Sequence, residues 1–296
     1  MSDISARFER NLRLFGIDGQ RRLRAAHVCV IGIGGLGSHV VQQLSLLGVG
    51  TISLIDHEEV STSNRNRYIG VFDDDPIPGT LKVDAAHRLV SSIDPSIRLV
   101  RIPESIVSKA GLEAIRSSNY VFGCVDADGP RFVINDFCTA YAKPYIDLAT
   151  DVVDGHFGGR VVFKSEAYGC LYCLGELDQN AVKLFLETND EKAMRESIYG
   201  IEKSMLSDVG PSVVSVNGVI ASLAVTEFML ACTQMAAAKI FINYDGLKRR
   251  VSERLVSGRA DCPYCSQWNR GLEADTERYL RWERSVKRSP SSPTLD

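Results

Sequence analysis

The stretch Ala26-His27-Val28-Cys29-Val30-Ile31-Gly32-Ile33-Gly34-Gly35-Leu36-Gly37-Ser38 decides the fold. An unbroken apolar run breaks into glycines and then into a helical pattern, so the order predicts strand, phosphate loop and helix. A strand covered on both faces carries such a run, and glycines let backbone N–H groups approach a phosphate at the positive end of the following helix. Gly32, Gly34 and Gly37 stand in the spacing G-x-G-x-x-G, and a second apolar strand, Thr51 to Ile55, ends in Asp56, where a carboxylate can grip ribose hydroxyls. ATP and NAD satisfy this pattern equally, and a tight structural turn is the bland reading.

Outward from this stretch, the chain has 296 residues, enough for one large α/β domain or two smaller ones. Its hydrophobic share of 45% and charged share of 24% are those of a soluble globular protein, and a net charge of −3 argues against nucleic acid or a membrane surface as the main partner. The first residues lack the apolar core of a signal peptide, and no uninterrupted apolar run approaches the ~20 residues of a membrane span, so a cytoplasmic location is expected.

Downstream, strands and helices alternate. Helices are expected over Gly37 to Leu47, Val83 to Ser92, Ile106 to Ser117 and Arg131 to Tyr141, with strands at Ile97 to Ile102, Tyr120 to Val125 and Tyr145 to Ala149. This predicts a Rossmann-like, doubly wound, mostly parallel sheet. Before it, Arg7 to Gly16 reads as a short amphipathic helix stopped by glycine. After it, Gly155 to Phe163, Ile240 to Tyr244 and Arg250 to Leu255 suggest added antiparallel strands, and Val213 to about Thr233 a buried apolar helix. Three parts are expected: an N-terminal helical arm over 1–25, a main domain over 26–265 with a mobile crossover at 177–208, and over 266–296 a helix from Trp268 to Lys287 followed by a disordered tail.

Eight cysteines in a reducing compartment do not make a disulfide framework. Four of them form two C-x-x-C pairs, Cys170/Cys173 and Cys262/Cys265, each able to chelate one edge of a metal. Together they predict one tetrahedral structural zinc that clips a late segment onto the main domain. A closed four-thiolate shell leaves no open position for catalysis. Cys29, Cys124, Cys138 and Cys232 lie in apolar runs and read as small buried hydrophobes.

Polar groups with catalytic potential gather around the loop. The segment His57 to Tyr68 holds Glu58, Asn64 and two arginines able to face phosphates, Lys82 opens a helix, and Asp126 stands at the carboxyl end of a strand, the edge where open α/β sheets bind ligands. Asp126 is a candidate for Mg²⁺ or a polar substrate, with helix capping as its structural counterpart.

In combination these features resemble the ThiF/MoeB/HesA superfamily of ubiquitin-activating-enzyme-like adenylyltransferases, from Arg7 to Cys265. The family's R-x-x-R is similar to Arg7 and Arg10, its G-x-G-G-L-G to Gly32, Gly34, Gly35, Leu36 and Gly37, and its D-x-(D/E)-x-V-x-x-S-N-x-x-R to Asp56, Glu58, Val60, Ser63, Asn64 and Arg67. Lys82, Asp126, Arg131 and the paired C-x-x-C follow in family order. The resemblance implies ATP-dependent activation of a carboxylate, generally the C-terminal glycine of a ubiquitin-like protein, giving an acyl-adenylate and pyrophosphate. It further implies that Arg10, Arg67 and Lys82 supply the cations, that Asp126 holds Mg²⁺, that Asp56 binds ribose, and that Asn64 and the glycine amides hold the phosphates. Arg10's counterpart reaches into the partner's site, which implies a homodimer.

A conjugating enzyme or sulfur carrier would be the downstream partner. Relatives that form a thioester carry a cysteine in the crossover, and this chain has none between Cys173 and Cys232, so adenylation alone is expected. The Ser63-to-Tyr68 loop departs from the leucine/glutamine form of the cofactor-sulfuration branch, which leaves a conjugation or peptide-modification system equally open. Other readings are an NAD-dependent oxidoreductase, which leaves Asn64, Arg67, Lys82 and Asp126 unexplained, a non-catalytic partner subunit, and an adenylating enzyme for a small-molecule, peptide or tRNA-linked carboxylate.

Overall fold

Val28 and Val30 of the first strand pack into one apolar layer, and Cys29 and Ile31 into the other. Both faces of that strand are therefore covered, which is why its sequence is a continuous run rather than an alternation. The computed structural model describes residues 6–153, 155–166, 169–188, 191, 212–256 and 258–287. Strands β1 (His27–Ile31), β2 (Thr51–Ile55), β3 (Arg98–Ile102), β4 (Tyr120–Gly123) and β5 (Tyr145–Val153) run parallel, and β6 (His156–Lys164), β7 (Phe241–Asp245) and β8 (Arg250–Glu253) add antiparallel, in the spatial order β3-β2-β1-β4-β5-β6-β7-β8. The order reverses between β1 and β4, and at such a switch point the loops at the carboxyl ends part to leave a crevice.

Helices α1 (Glu9–Ala25), α2 (Gly35–Leu47), α3 (Lys82–Ile93), α4 (Lys109–Ser117), α5 (Asp128–Ala140), α6 (Gln179–Leu186), α7 (Val214–Thr233) and α8 (Arg278–Lys287) complete the described fold. The first layer joins α2, α3 and α7 to the sheet, and the second joins α4 and α5. Helix α7 is apolar on all sides and long enough by composition to cross a membrane; here it packs against α2, β5 and β6.

The structure alters several boundaries read from the sequence. The first helix does not stop at Gly16: that residue (φ 68°, ψ 177°) kinks it, and helix resumes to Ala25 because Gly19, Gln20 and Leu23 find buried places and Gln20 Nε2 donates to the Leu47 carbonyl at 2.9 Å. Helix α5 begins at Asp128, three residues before Arg131, and β5 runs to Val153 because all nine of its residues pair with β6. The expected single helix from Trp268 to Lys287 is a 3₁₀ turn at Gly271–Ala274 and then α8, separated by Asp275 in the left-handed region (φ 48°). Most of the expected crossover beyond Thr188, and the tail from Ser289, lie outside the described residues.

Candidate functional site

At the end of β1 the chain turns through Gly32 (φ 84°) into α2, whose N-cap is Gly34. Three of the glycines answer to packing: a Cβ on Gly32 would lie 2.9 Å from the Cys124 carbonyl group, one on Gly37 2.0 Å from the Gly32 oxygen, and one on Gly35 2.4 Å from Asn217 Nδ2. Gly34 differs, because nothing lies within 4 Å of the position its Cβ would take. The first-turn amides of Gly35, Leu36 and Gly37 have no carbonyl four residues back inside the helix to bond. The Leu36 side chain belongs to the core, so only its backbone is offered to a ligand. An open approach over Gly34 to unbonded amides fits a phosphate chain.

Helix α7 runs beside α2 in parallel register. Asn217 meets Gly35, Gly218 faces His39, and Gln43 Nε2 donates to Ser222 Oγ at 3.1 Å. Two positive helix ends thus share one end of the layer, the end that carries the loop. Asn217, wholly buried with its amide donating to Ser212 Oγ at 3.1 Å, was not legible as a site residue from its sequence neighbours.

Asp56 closes the other side of the loop. Its Oδ2 accepts the Ile33 amide at 2.7 Å and its Oδ1 the Glu58 amide at 2.9 Å. Burial pushes its carboxyl up, against the pull of Lys82. The next segment is folded back onto the start of α3: Val60 N donates to the Thr80 carbonyl at 2.8 Å, Lys82 N to the Glu58 carbonyl at 3.0 Å, and Tyr68 OH to the Lys82 carbonyl at 2.6 Å. This lattice sets the Lys82 ammonium on the Glu58 carboxylate, whose pKa that hydrogen bond lowers.

Asn64 Oδ1 accepts the Ser61 amide at 3.0 Å and caps its own turn, leaving the amide nitrogen to donate elsewhere. The stem of Arg67 crosses Gly35 (3.3 Å from the Cβ position) and its guanidinium donates to the Ser63 carbonyl and Asn66 Oδ1. Ser38 Oγ, accepting the Ile69 amide at 3.1 Å, ties this segment to α2.

Across the crevice, Asp126 follows β4. It is exposed and has no hydrogen-bond or ion-pair partner among the described residues, whereas Asp128 accepts the Asp178 amide at 2.8 Å. An uncommitted carboxylate beside a phosphate site suits Mg²⁺. Its turn is held from behind by Arg131, which donates to the Val125 carbonyl at 2.6 Å and to Asp147 Oδ2 at 2.8 Å. Asp147 is fully buried and also receives Arg160 Nη1 at 2.6 Å and Tyr145 OH at 2.8 Å. Arg160 continues to Glu176 at 2.9 Å, and Glu176 to Arg254 at 2.8 Å. In the sequence this network showed only as Arg131, read from the family order, and one acid inside the apolar strand Tyr145 to Ala149.

Arg10 is the residue the structure does not bring in. It is exposed on α1 without a partner among the described residues, and α1 meets α2 at the latter's far end, where Phe8 lies against Gly48. That end is about 20 Å along α2 from the glycine loop.

The four paired cysteines do converge. Cys170 Sγ lies 3.7 Å from Cys262 Sγ and Cys173 Sγ 3.8 Å from Cys265 Sγ, with all four sulfurs within 4.8 Å of one another. A tetrahedral zinc at ~2.3 Å from each thiolate sets sulfurs about 3.8 Å apart, so the donor set fits. Asn135 of α5 steadies the first pair by accepting the Leu171 amide at 2.9 Å. Cys29, Cys124, Cys138 and Cys232 are buried as expected.

A glycine loop, a terminal acid and an open crevice at the reversal of a doubly wound sheet define a nucleotide-binding α/β protein. Residues 8–265 match the ThiF family, and the chain belongs to it. The chain is 32% identical over 176 residues to the Drosophila willistoni protein named adenylyltransferase and sulfurtransferase MOCS3, covering 58% of this chain and 37% of that protein. It is 30% identical over 173 residues to MOCS3-1 of Zea mays, covering 58% and 36%. It therefore spans little more than a third of the length of these relatives. Among solved structures, E. coli MccB with ATP superposes with a TM-score of 0.66 at 20% identity over 88% of this chain and 74% of that one, and PaaA with 0.66 at 18% over 88% and 75%.

Proposed function

We propose that the chain adenylates the C-terminal carboxylate of a ubiquitin-like protein, using ATP and Mg²⁺ and releasing pyrophosphate. The observation that carries this reading is the convergence of Asp56, the Lys82–Glu58 pair, Arg67 and the open face of Gly34 on one crevice with the uncommitted Asp126. The name of the MOCS3 relatives supports adenylyl transfer as the class of reaction.

In the step proposed, a carboxylate oxygen attacks the α-phosphorus of ATP, the bond from that phosphorus to the bridging oxygen breaks, and its electron pair leaves with pyrophosphate. Negative charge grows on the phosphate oxygens, so cations fixed beforehand stabilise the transition state more than the ground state. Arg67 and Lys82 are fixed in that way by the segment that folds onto α3. Asn64 Nδ2 and the amides of α2's first turn donate to the phosphates, and Asp56 receives the ribose hydroxyls. Magnesium held by Asp126 would neutralise charge on the phosphate chain.

Arg10 cannot reach the site of its own chain along α2, so it is proposed to serve the partner's site in a homodimer. ATP–pyrophosphate exchange tests the reading: it should require a carboxylate-ended ubiquitin-like protein and vanish in Arg67→Ala and Asp126→Ala. Exchange at the normal rate in both variants would contradict it, and a change in nicotinamide absorbance would point to an oxidoreductase instead.

A further inference from the structure

Helix α8 lies beyond the segment that matches the family, yet it is fastened to the catalytic half of the fold. Tyr279, 2% exposed, donates its hydroxyl to Asp136 Oδ2 at 2.7 Å, and Arg278 Nη2 donates to the same oxygen at 2.5 Å. Asp136 is on α5 and buried. One turn on, Trp282 stacks against Phe185 of α6 with ring centroids 5.1 Å apart, and its Nε1 donates to the Glu187 carbonyl at 3.3 Å.

Helix α6 is in turn fixed on the first turn of α5 at both of its ends. Its N-cap residue Asp178 donates its amide to Asp128 Oδ2 at 2.8 Å. Near its other end Phe185 sits on Gly129 so closely that a Cβ there would fall 2.2 Å from the ring. Asp128 and Gly129 come two and three residues after Asp126. A helix of eight residues has little stability of its own, so its place depends on what it is packed against.

We infer that α8 is a positioning element for the Asp126 turn: Trp282 holds Phe185 on Gly129, and α6 so held fixes the first turn of α5 and the acid that precedes it. The inference rests on Asp126 as the Mg²⁺ ligand for its functional half, whereas the support of α6 by α8 stands on the contacts alone. Among the described residues no contact joins α8 to Asp126, and the path from Trp282 to that turn runs through Phe185 of α6.

The test uses the full chain with Trp282→Ala and Trp282→Phe, measuring hydrogen exchange of the α6 amides and the affinity for ATP with Mg²⁺ and with EDTA. Loss of one aromatic pair should speed α6 exchange about two- to tenfold and weaken Mg²⁺–ATP binding by a similar factor, with binding in EDTA unchanged and the phenylalanine restoring both. Should Trp282→Ala not fold, Tyr279→Phe, which removes the donor to Asp136 and the acceptor of Arg278 Nη2 at 3.2 Å, is expected to shift both readouts in the same direction by less. Unchanged α6 exchange, or equal losses of affinity with and without Mg²⁺, would overturn the inference. An Asp126→Ala control separates the two levels: if it keeps the Mg²⁺ enhancement, the magnesium reading fails and this inference with it. If it loses the enhancement while Trp282→Ala keeps it, only this inference fails.

Discussion

The Ile33 amide donates to Asp56 Oδ2 at 2.7 Å, so the loop after β1 and the acid after β2 are one unit. Burial raises the Asp56 pKa above its ordinary 3.8, and the sign of its effect follows. Its contribution to stability is complete below the unfolded pKa and is lost as pH rises through the folded one, so the ionised acid at neutral pH is held at a cost to the fold. Glu58 goes the other way: Lys82 lowers its pKa, and its contribution is present above the unfolded value and lost as pH falls through the folded one. ATP affinity should therefore fall on acidification with a midpoint above 3.8, and Asp56→Asn should flatten that limb. Fluorescence titration of ATP at successive pH values shows which holds; the same limb in the variant would assign it to another group.

Lys82→Met separates catalysis from stability. Its partner Glu58 has a side chain 58% exposed, so water replaces the lost cation, and the cost to folding should stay below about 1 kcal/mol. Loss of a positioned cation at the phosphates should lower exchange roughly 10²- to 10³-fold, the scale of one transition-state donor. Urea unfolding and exchange measured on one preparation decide it, and comparable losses in both would make Lys82 a structural residue.

The sequence disclosed what depends on local pattern. Glycine spacing located the loop, apolar runs located the strands, and C-x-x-C spacing located four sulfurs separated by some ninety residues. It could not disclose contacts made between distant elements. Asn217 reaches Gly35 only because α7 lies parallel to α2, and Asp147 looks like an isolated acid until Arg160 arrives from the next strand. Gly16 misled for a related reason, since tertiary burial of Gln20 and Leu23 carries the helix past a residue that locally breaks it.

Asp147→Ala should be among the most destabilising single changes. It would take away the buried anion that Arg131 and Arg160 share, leaving Asp128 at 3.8 Å from Arg131 and Glu176 at 2.9 Å from Arg160, and removing one partner of a buried pair costs about 3–5 kcal/mol. Asp147→Asn, which keeps the shape and one acceptor, should cost less. Urea midpoints give the comparison, and equal, small effects would show that water reaches the pair of arginines.

Metal analysis should find about one zinc per chain, the number one four-thiolate site holds. Cys262→Ser should lose the metal and destabilise by on the order of 4 kcal/mol, the size expected when a cross-link closing roughly 90 residues is opened. Because the four sulfurs carry no open position, chelation should lower Tm before it lowers exchange at 25 °C. Loss of exchange at unchanged Tm would instead place the ion in the chemistry.

Gly34→Ala and Gly37→Ala differ by one methyl at two points of the same loop and should fail in different ways. At Gly37 the methyl would meet the Gly32 carbonyl oxygen at 2.0 Å, so the loop must deform, and both the folding free energy and ATP binding should suffer. At Gly34 the methyl meets nothing within 4 Å, and replacing a glycine N-cap by alanine costs a helix about 1 kcal/mol at most. Gly34→Ala should therefore melt close to the parent chain yet bind ATP several-fold more weakly, because the methyl occupies the space a phosphate must enter. Calorimetric melting and ATP titration of the two variants test the placement of the triphosphate directly: full affinity in Gly34→Ala would mean that the phosphates approach the loop from another side.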